Sequence, residues 1–313
     1  MIFVSSGHER SISLEIFLKS FISLTPKEQG LFVLAAAPQL VEQCCQTLRW
    51  ECQLNSSEVQ LPGGKLKLIP IMRSGNSDPH STLSMLEAMQ QCSSKDILLT
   101  MPTSKDQLIL NGKPLAGHTE FFRQYFNNPD IGMLFAANNN YTLLLTDHLP
   151  LNKVTHAITS DLVIQKTSAA LEQYFFRYQI PINEVVFSGV NPHAGEGGIL
   201  GDEESHITKA IKELRQRYRQ TIFSGPLSGD TLQLFKNDKT KRQLHVYAFH
   251  DQGLPVFKAL HGLLGVNISI GLPFLRMSVD HGTAFELYGQ DRAFMLGALY
   301  LLKHALRLQG IKQ

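Results

Sequence analysis

The sequence predicts an α/β protein of two lobes on three observations. Short apolar runs alternate with amphipathic stretches, several of those runs end in polar, glycine-bearing loops, and 313 residues exceed what a single core usually fills. The alternation begins at once: residues 2–5 read as a strand, 13–24 as a helix and 30–36 as a buried strand. Residues 96–101 form another strand. It runs into the polar loop Pro102-Thr-Ser-Lys105, the kind of carboxyl end where open α/β sheets collect ligands.

A second block follows, with strands at 132–136 and 141–146, a helix at 160–178, and a strand at 184–188 that enters a glycine-rich loop. Residues 205–219 have helical spacing, with Ile207, Ile211 and Leu214 on one face, the pattern of a helix packed on a sheet. The apolar strand 244–249 delivers His250 into a loop, and the last helix spans 292–308. No repeat or long Pro/Gly/Ser linker marks a junction. The lobes are set at 1–115 plus 275–313 for the first and 116–274 for the second.

Composition narrows the partners. Apolar residues at 43% and charged residues at 18% are ordinary for a globular chain. A net charge of +2, with Lys and Arg interspersed among acids, argues against nucleic acid or a membrane surface and for small molecules. Cys44, Cys45, Cys52 and Cys92 have neither zinc-ribbon spacing nor the density of a disulfide scaffold, so they read as reduced thiols. The first residues lack a signal-peptide core and no run of about 18 apolar residues occurs. A cytoplasmic address is expected.

The strongest local feature is Ser188-Gly-Val-Asn-Pro-His-Ala-Gly-Glu-Gly-Gly-Ile-Leu-Gly-Asp202. Its glycines allow close backbone approach to a ligand and positive φ, while His193 and Glu196 supply a ligand or base. The same loop is compatible with a tight surface turn, and it lacks the spacing of a dinucleotide fingerprint. His250 in His250-Asp-Gln-Gly253 and His148 in Asp147-His148-Leu-Pro150 each follow an apolar strand. Three strand-terminal imidazoles, His148, His193 and His250, could hold a divalent metal with positions open to substrate, or each could be a hydrogen-bonded structural residue. Gly117-His-Thr-Glu120 precedes a helix and suits an anion. Lys258 and Arg276 add positive charge that could grip a phosphate or carboxylate, or lie solvated on the surface.

Taken together, Gly117-His-Thr-Glu, Thr146-Asp-His-Leu-Pro-Leu151, Asn191-Pro-His-Ala-Gly-Glu-Gly-Gly, Gly225-Pro-Leu-Ser-Gly-Asp230-Thr, His250-Asp-Gln-Gly-Leu-Pro-Val-Phe-Lys and Gly271-Leu-Pro-Phe-Leu-Arg-Met-Ser-Val-Asp-His-Gly-Thr-Ala resemble the 4-hydroxythreonine-4-phosphate dehydrogenase family of vitamin B6 biosynthesis, over residues 96–290. That resemblance implies two α/β/α lobes like those of isocitrate and isopropylmalate dehydrogenases, with sites in the cleft of a homodimer that both subunits complete. It implies His148, His193 and His250 as ligands of one divalent ion (zinc, magnesium or cobalt) and His118, Thr119, Lys258, Asn267 and Arg276 as substrate-binding residues. Asp230 and Lys258 stand as candidate catalytic residues, Asp230 for proton transfer or orientation.

The implied reaction is oxidation of 4-phosphooxy-L-threonine by NAD or NADP to 2-amino-3-oxo-4-phosphooxybutanoate, which loses carbon dioxide to give 3-amino-2-oxopropyl phosphate. The resemblance assigns no cofactor-binding residues. The amino terminus departs from the family pattern: Gly7-His-Glu-Arg-Ser-Ile-Ser-Leu-Glu15 replaces a loop with a proline and more glycines. That departure leaves open a dehydrogenase of another phosphorylated four-carbon acid, threonate or erythronate phosphate, and the three histidines leave a second alternative, a metal-dependent phosphate-ester hydrolase.

Overall fold

A computed structural model describes residues 1–72, 78–235 and 242–311. The chain forms two compact α/β units, one made of Met1–Pro129, Leu263–Val266 and Leu272–Gln313, the other of Asp130–Gly262 and Asn267–Gly271. The α/β class expected from the alternation is what the chain adopts.

In the first unit the strands lie in the order Leu275–Val279, Ile97–Thr100, Ile2–Ser5, Phe32–Ala36, Gly64–Pro70, Glu58–Leu61, Gln53–Leu54. The first five are mutually parallel and the last two antiparallel. The parallel strands are apolar runs because helices cover their faces. Helix Ser13–Ile22 packs on helix Leu296–Leu308, burying Phe17, Phe21, Leu301 and Leu302. The four-residue helix Pro26–Gln29 starts where Thr25 and Glu28 form a capping box, with Pro26 preset for the first turn. His80, which opens helix His80–Gln90, is buried and lies 2.8 Å from Ser6 Oγ at the end of strand Ile2–Ser5.

In the second unit the order is Ile222–Leu227, Glu184–Ser188, Gln243–Tyr247, Asn140–Leu144, Gly132–Ala137, Val266–Ile270. The first four are parallel, and Gly132–Ala137 runs antiparallel to its neighbour Asn140–Leu144. Met133, Phe135, Leu144, Val186, Tyr247, Leu254 and Phe257 form a core on one face. The helix expected over 160–178 is α-helical only over Ser160–Ala170, capped by the Thr159 side chain, and widens into a π-helix at Leu171–Phe176.

The boundaries expected from the sequence put helix His118–Tyr125 in the second lobe, whereas its contacts lie with the first unit. The reason is aromatic packing: Phe121 and Phe122 are buried, and Phe126 meets Phe274 edge-on at 5.9 Å. Among the described residues no helix is long and apolar enough to cross a membrane.

Candidate functional site

Four candidate residues of the second unit emerge from the carboxyl ends of its four parallel strands. Pairing of Asn140–Leu144 with Gln243–Tyr247 continues past both strand ends, because Leu145 N–H donates to Tyr247 O at 2.9 Å and Thr146 N–H to Ala248 O at 3.0 Å. That zipper carries Asp147-His148 alongside Phe249-His250. The two imidazoles come to rest 5.6 Å apart between ring centres. His250 opens helix His250–His261, and its Nδ1 lies 2.6 Å from Asp251 Oδ1. His148 Nδ1 faces Asp147 Oδ1 at 3.7 Å.

The glycine-rich loop is held from below by a residue the sequence did not single out. Glu204, itself buried, accepts the backbone N–H groups of Val190 and Asn191 at 2.9 and 2.8 Å and the Asn191 side-chain amide at 3.1 Å. His193 through Gly197 all adopt positive φ, a tight left-handed turn. At Gly195 the turn admits no side chain: a Cβ would lie 2.7 Å from Glu204 Oε2 and 2.8 Å from Gly201 O. The turn presents His193, whose Nδ1 is 2.5 Å from Glu196 Oε1. That contact raises the His193 pKa above its ordinary value, with the Asp230 charge adding to it.

Asp230 follows strand Ile222–Leu227 and accepts a 2.5 Å hydrogen bond from Ser228 Oγ, which holds its carboxyl below the ordinary range. Gln252 ties these loops together. Its side-chain carbonyl accepts Ala248 N–H at 2.9 Å, and its amide donates to Gly189 O at 2.9 Å. Gly253 has a packing role: a Cβ there would lie 2.7 Å from the Tyr247 ring, so the glycine lets the helix sit against the strand. Lys258 is exposed on the same helix, and Asn267 has a buried side-chain oxygen with no hydrogen-bond partner among the described residues.

The first unit holds the other candidates. Arg276 is 2% exposed, which excludes the solvated surface charge that the sequence left open. Its guanidinium donates to Thr100 Oγ1 through Nε at 3.0 Å and lies 5.7 Å over the Phe122 ring. Burial pushes its pKa down to about 9, which keeps it charged at neutral pH. His118 opens helix His118–Tyr125 and is half-buried. Desolvation, then the Arg276 charge, holds it well below the ordinary imidazole range, so its ring is neutral. Thr119 beside it is buried.

The donors suit a divalent ion. Each of the three histidines turns Nδ1 toward a neighbouring carboxylate, leaving Nε2 to coordinate, the usual arrangement for imidazole ligands. Proximity is less complete than the sequence expectation of three converging rings. His148 and His250 stand together, His193 sits on its own turn within range of the Asp230 charge, and among the described residues no three His, Cys, Asp or Glu side chains form a ready metal group.

The model of the family described as pyridoxal phosphate biosynthetic protein PdxA matches residues 30–300. A 4-hydroxythreonine-4-phosphate dehydrogenase of Sulfurimonas denitrificans is 30% identical over 309 residues, covering 97% of this chain and 96% of that one. One from Shewanella frigidimarina is 33% identical and covers 93% and 92%. A 4-hydroxythreonine-4-phosphate dehydrogenase structure from Klebsiella pneumoniae superposes with a TM-score of 0.78 at 24% identity, over 99% of both chains, which speaks to the fold.

Proposed function

The chain belongs to the PdxA family of pyridoxal phosphate biosynthetic proteins, and from that membership we propose how its own residues serve the family's reaction. The protein is an oxidoreductase, a 4-hydroxythreonine-4-phosphate dehydrogenase. The substrate is 4-phosphooxy-L-threonine: its hydroxyl-bearing carbon gives a hydride to NAD or NADP, the hydroxyl loses a proton, and the resulting 3-oxo acid releases carbon dioxide. The observation that carries the assignment of residues is the pairing of His148 and His250, 5.6 Å apart past the ends of adjacent parallel strands.

His148, His250 and His193 would hold a divalent cation, zinc, magnesium or cobalt, through Nε2. Such an ion makes an alcohol more acidic and draws charge from a forming ketone. Arg276 and Lys258 provide fixed positive charge for the phosphate and carboxylate, with His118, Thr119 and Asn267 as hydrogen-bonding partners. Asn267 suits this role because, among the described residues, its buried oxygen lacks a partner and so can accept from a ligand. Arg276 is oriented by Thr100 before substrate arrives, so little ordering entropy is lost on binding. Asp230, kept ionised by Ser228, accepts or directs the departing proton. We assign the working form to a cytoplasmic homodimer in which both subunits complete each site.

Purified protein supplied with a divalent metal is expected to reduce NAD or NADP when given 4-phosphooxy-L-threonine. His193→Ala is expected to abolish turnover without changing the oligomer. Threonate and erythronate phosphates belong in the same panel because of the altered loop after strand Ile2–Ser5. Absence of nicotinamide reduction with every one of these substrates overturns the reading, and turnover without nicotinamide points to a hydrolase.

A further inference from the structure

A cavity lies in the first unit, lined by residues other than those assigned above. It measures about 670 Å³ and opens between helix Pro26–Gln29 and helix Leu296–Leu308. Two contacts place it at the amino ends of the strands. Helix Pro26–Gln29 leads into strand Phe32–Ala36, and the Gln309 side chain donates to Lys95 O just ahead of strand Ile97–Thr100. Thr100, which orients Arg276, is at the opposite end of its strand.

The cavity is lined by both apolar and cationic side chains, Leu296, Leu299, Tyr300 and Ile311 among the former and Lys27, Lys303 and Arg307 among the latter. Lys303 donates to Glu28 at 2.8 Å, and Glu28 is itself fixed by the Thr25 backbone and hydroxyl. That pair cancels. Among the described residues Lys27 and Arg307 have no carboxylate partner, so they leave two uncompensated positive charges on the lining.

Arg307 is held in place by an unusual partner. It donates through Nη2 at 2.8 Å to Nδ1 of His304, which is 3% exposed. Burial and the neighbouring guanidinium push the His304 pKa down to about 3, so the imidazole is neutral and accepts permanently. A simple helix-end role for Arg307 does not account for this. Three of the last four carbonyls of that helix are already taken, since Gln309 N–H reaches Ala305 O and Leu306 O, Gly310 N–H reaches Arg307 O, and Ile311 N–H reaches Leu306 O. Its fork is therefore preset on the cavity lining, and among the described residues His304 is its one side-chain acceptor.

We propose that this cavity is a binding site for a phosphate monoester carrying a ring or other apolar body, with Lys27 and Arg307 on the phosphate and Leu296, Leu299, Tyr300 and Ile311 on the body. The net charge of the lining selects the ligand class. A phosphate monoester carries about −1.5 to −2 at neutral pH and matches two cations, whereas a monocarboxylate leaves one unmatched. The volume falls within the range of small-molecule sites, roughly 300–1,000 Å³.

Phenyl phosphate tests the site by isothermal titration calorimetry on the intact protein, with 4-phosphooxy-L-threonine present and nicotinamide absent so that the site described above is filled. One saturable site per chain with Kd below about 1 mM is expected, weakened about tenfold or more by Arg307→Ala and by the exposed-site change Lys27→Glu. Both variants are expected to keep dehydrogenase activity, which separates this proposal from the function of the first site. Lys27→Glu guards against an Arg307→Ala result caused by loosened packing around His304. Lack of saturable binding, binding indifferent to Lys27→Glu, or equal affinity for benzoate overturns the proposal.

Discussion

Replacing Glu204 tests whether the geometry of the glycine-rich turn, and so the placement of His193, limits the reaction. The carboxylate accepts three hydrogen bonds, at 2.9, 2.8 and 3.1 Å. Bonds to a charged group contribute about 1.5–3 kcal/mol each when their loss leaves a buried donor. Val190 and Asn191 are only partly buried, so water can replace part of what Glu204→Ala removes. The expected loss is therefore about 3 kcal/mol, well below the sum. Released from its anchor, the turn shifts, and a displacement of about 1 Å at a reacting group costs on the order of a hundredfold in rate. Glu204→Gln keeps an acceptor oxygen for the two backbone donors and should lose about 1 kcal/mol and only a few-fold in kcat/KM. The assay is nicotinamide reduction alongside thermal unfolding followed by circular dichroism. Full turnover in Glu204→Ala despite a lowered Tm would refute the reasoning, since it would show that the anchored turn is not needed for chemistry.

Two further outcomes follow from the same structure. Gly195→Ala should impair both stability and turnover more than Gly197→Ala. Both positions have positive φ, at about 1–2 kcal/mol for an L residue, but only a Cβ at Gly195 meets Glu204 and the Gly201 carbonyl, while one at Gly197 meets nothing within 4 Å; equal Tm and kcat/KM losses in the two variants would contradict the close packing. The second concerns His304, whose folded pKa is depressed to about 3 from 6.5. The unfolded chain then binds the extra proton between those values, so this residue's contribution is full above 6.5 and is lost as pH falls toward 3, on the order of 5 kcal/mol at most. Denaturant unfolding of the wild type and His304→Gln across that window should show a steeper acid decline in the wild type, and parallel profiles would remove His304 from the account.

Much of the architecture is legible from local pattern. Strands such as Ile2–Ser5 and Glu184–Ser188 are apolar runs bounded by polar, turn-forming residues, and a short segment's φ and ψ follow largely from such neighbours. The expected helix over 160–178 shows where this stops: its apolar spacing continues through Leu171–Phe176, yet that stretch, with Tyr174 and Phe175 buried, is a π-helix. For the candidate site, the histidines after apolar strands and the glycine-rich turn are visible as residue types in motifs.

What the sequence by itself determined was therefore the α/β class, the family resemblance and the identity of the polar groups carried past the strand ends. Only the tertiary structure decided what surrounds them. Arg276 could read as a solvated charge until Thr100, 176 residues away, and Phe122 proved to enclose it. Glu204 reads as one acid in a charged stretch until its carboxylate turns back onto Val190 and Asn191. Gly253 reads as part of a ligand motif until the Tyr247 ring fills the space its side chain would need. The physical reason is the same in each case: backbone preference is set by adjacent residues, whereas burial, hydrogen-bond partners and pKa are set by segments that meet only when the strands take their places in the sheet.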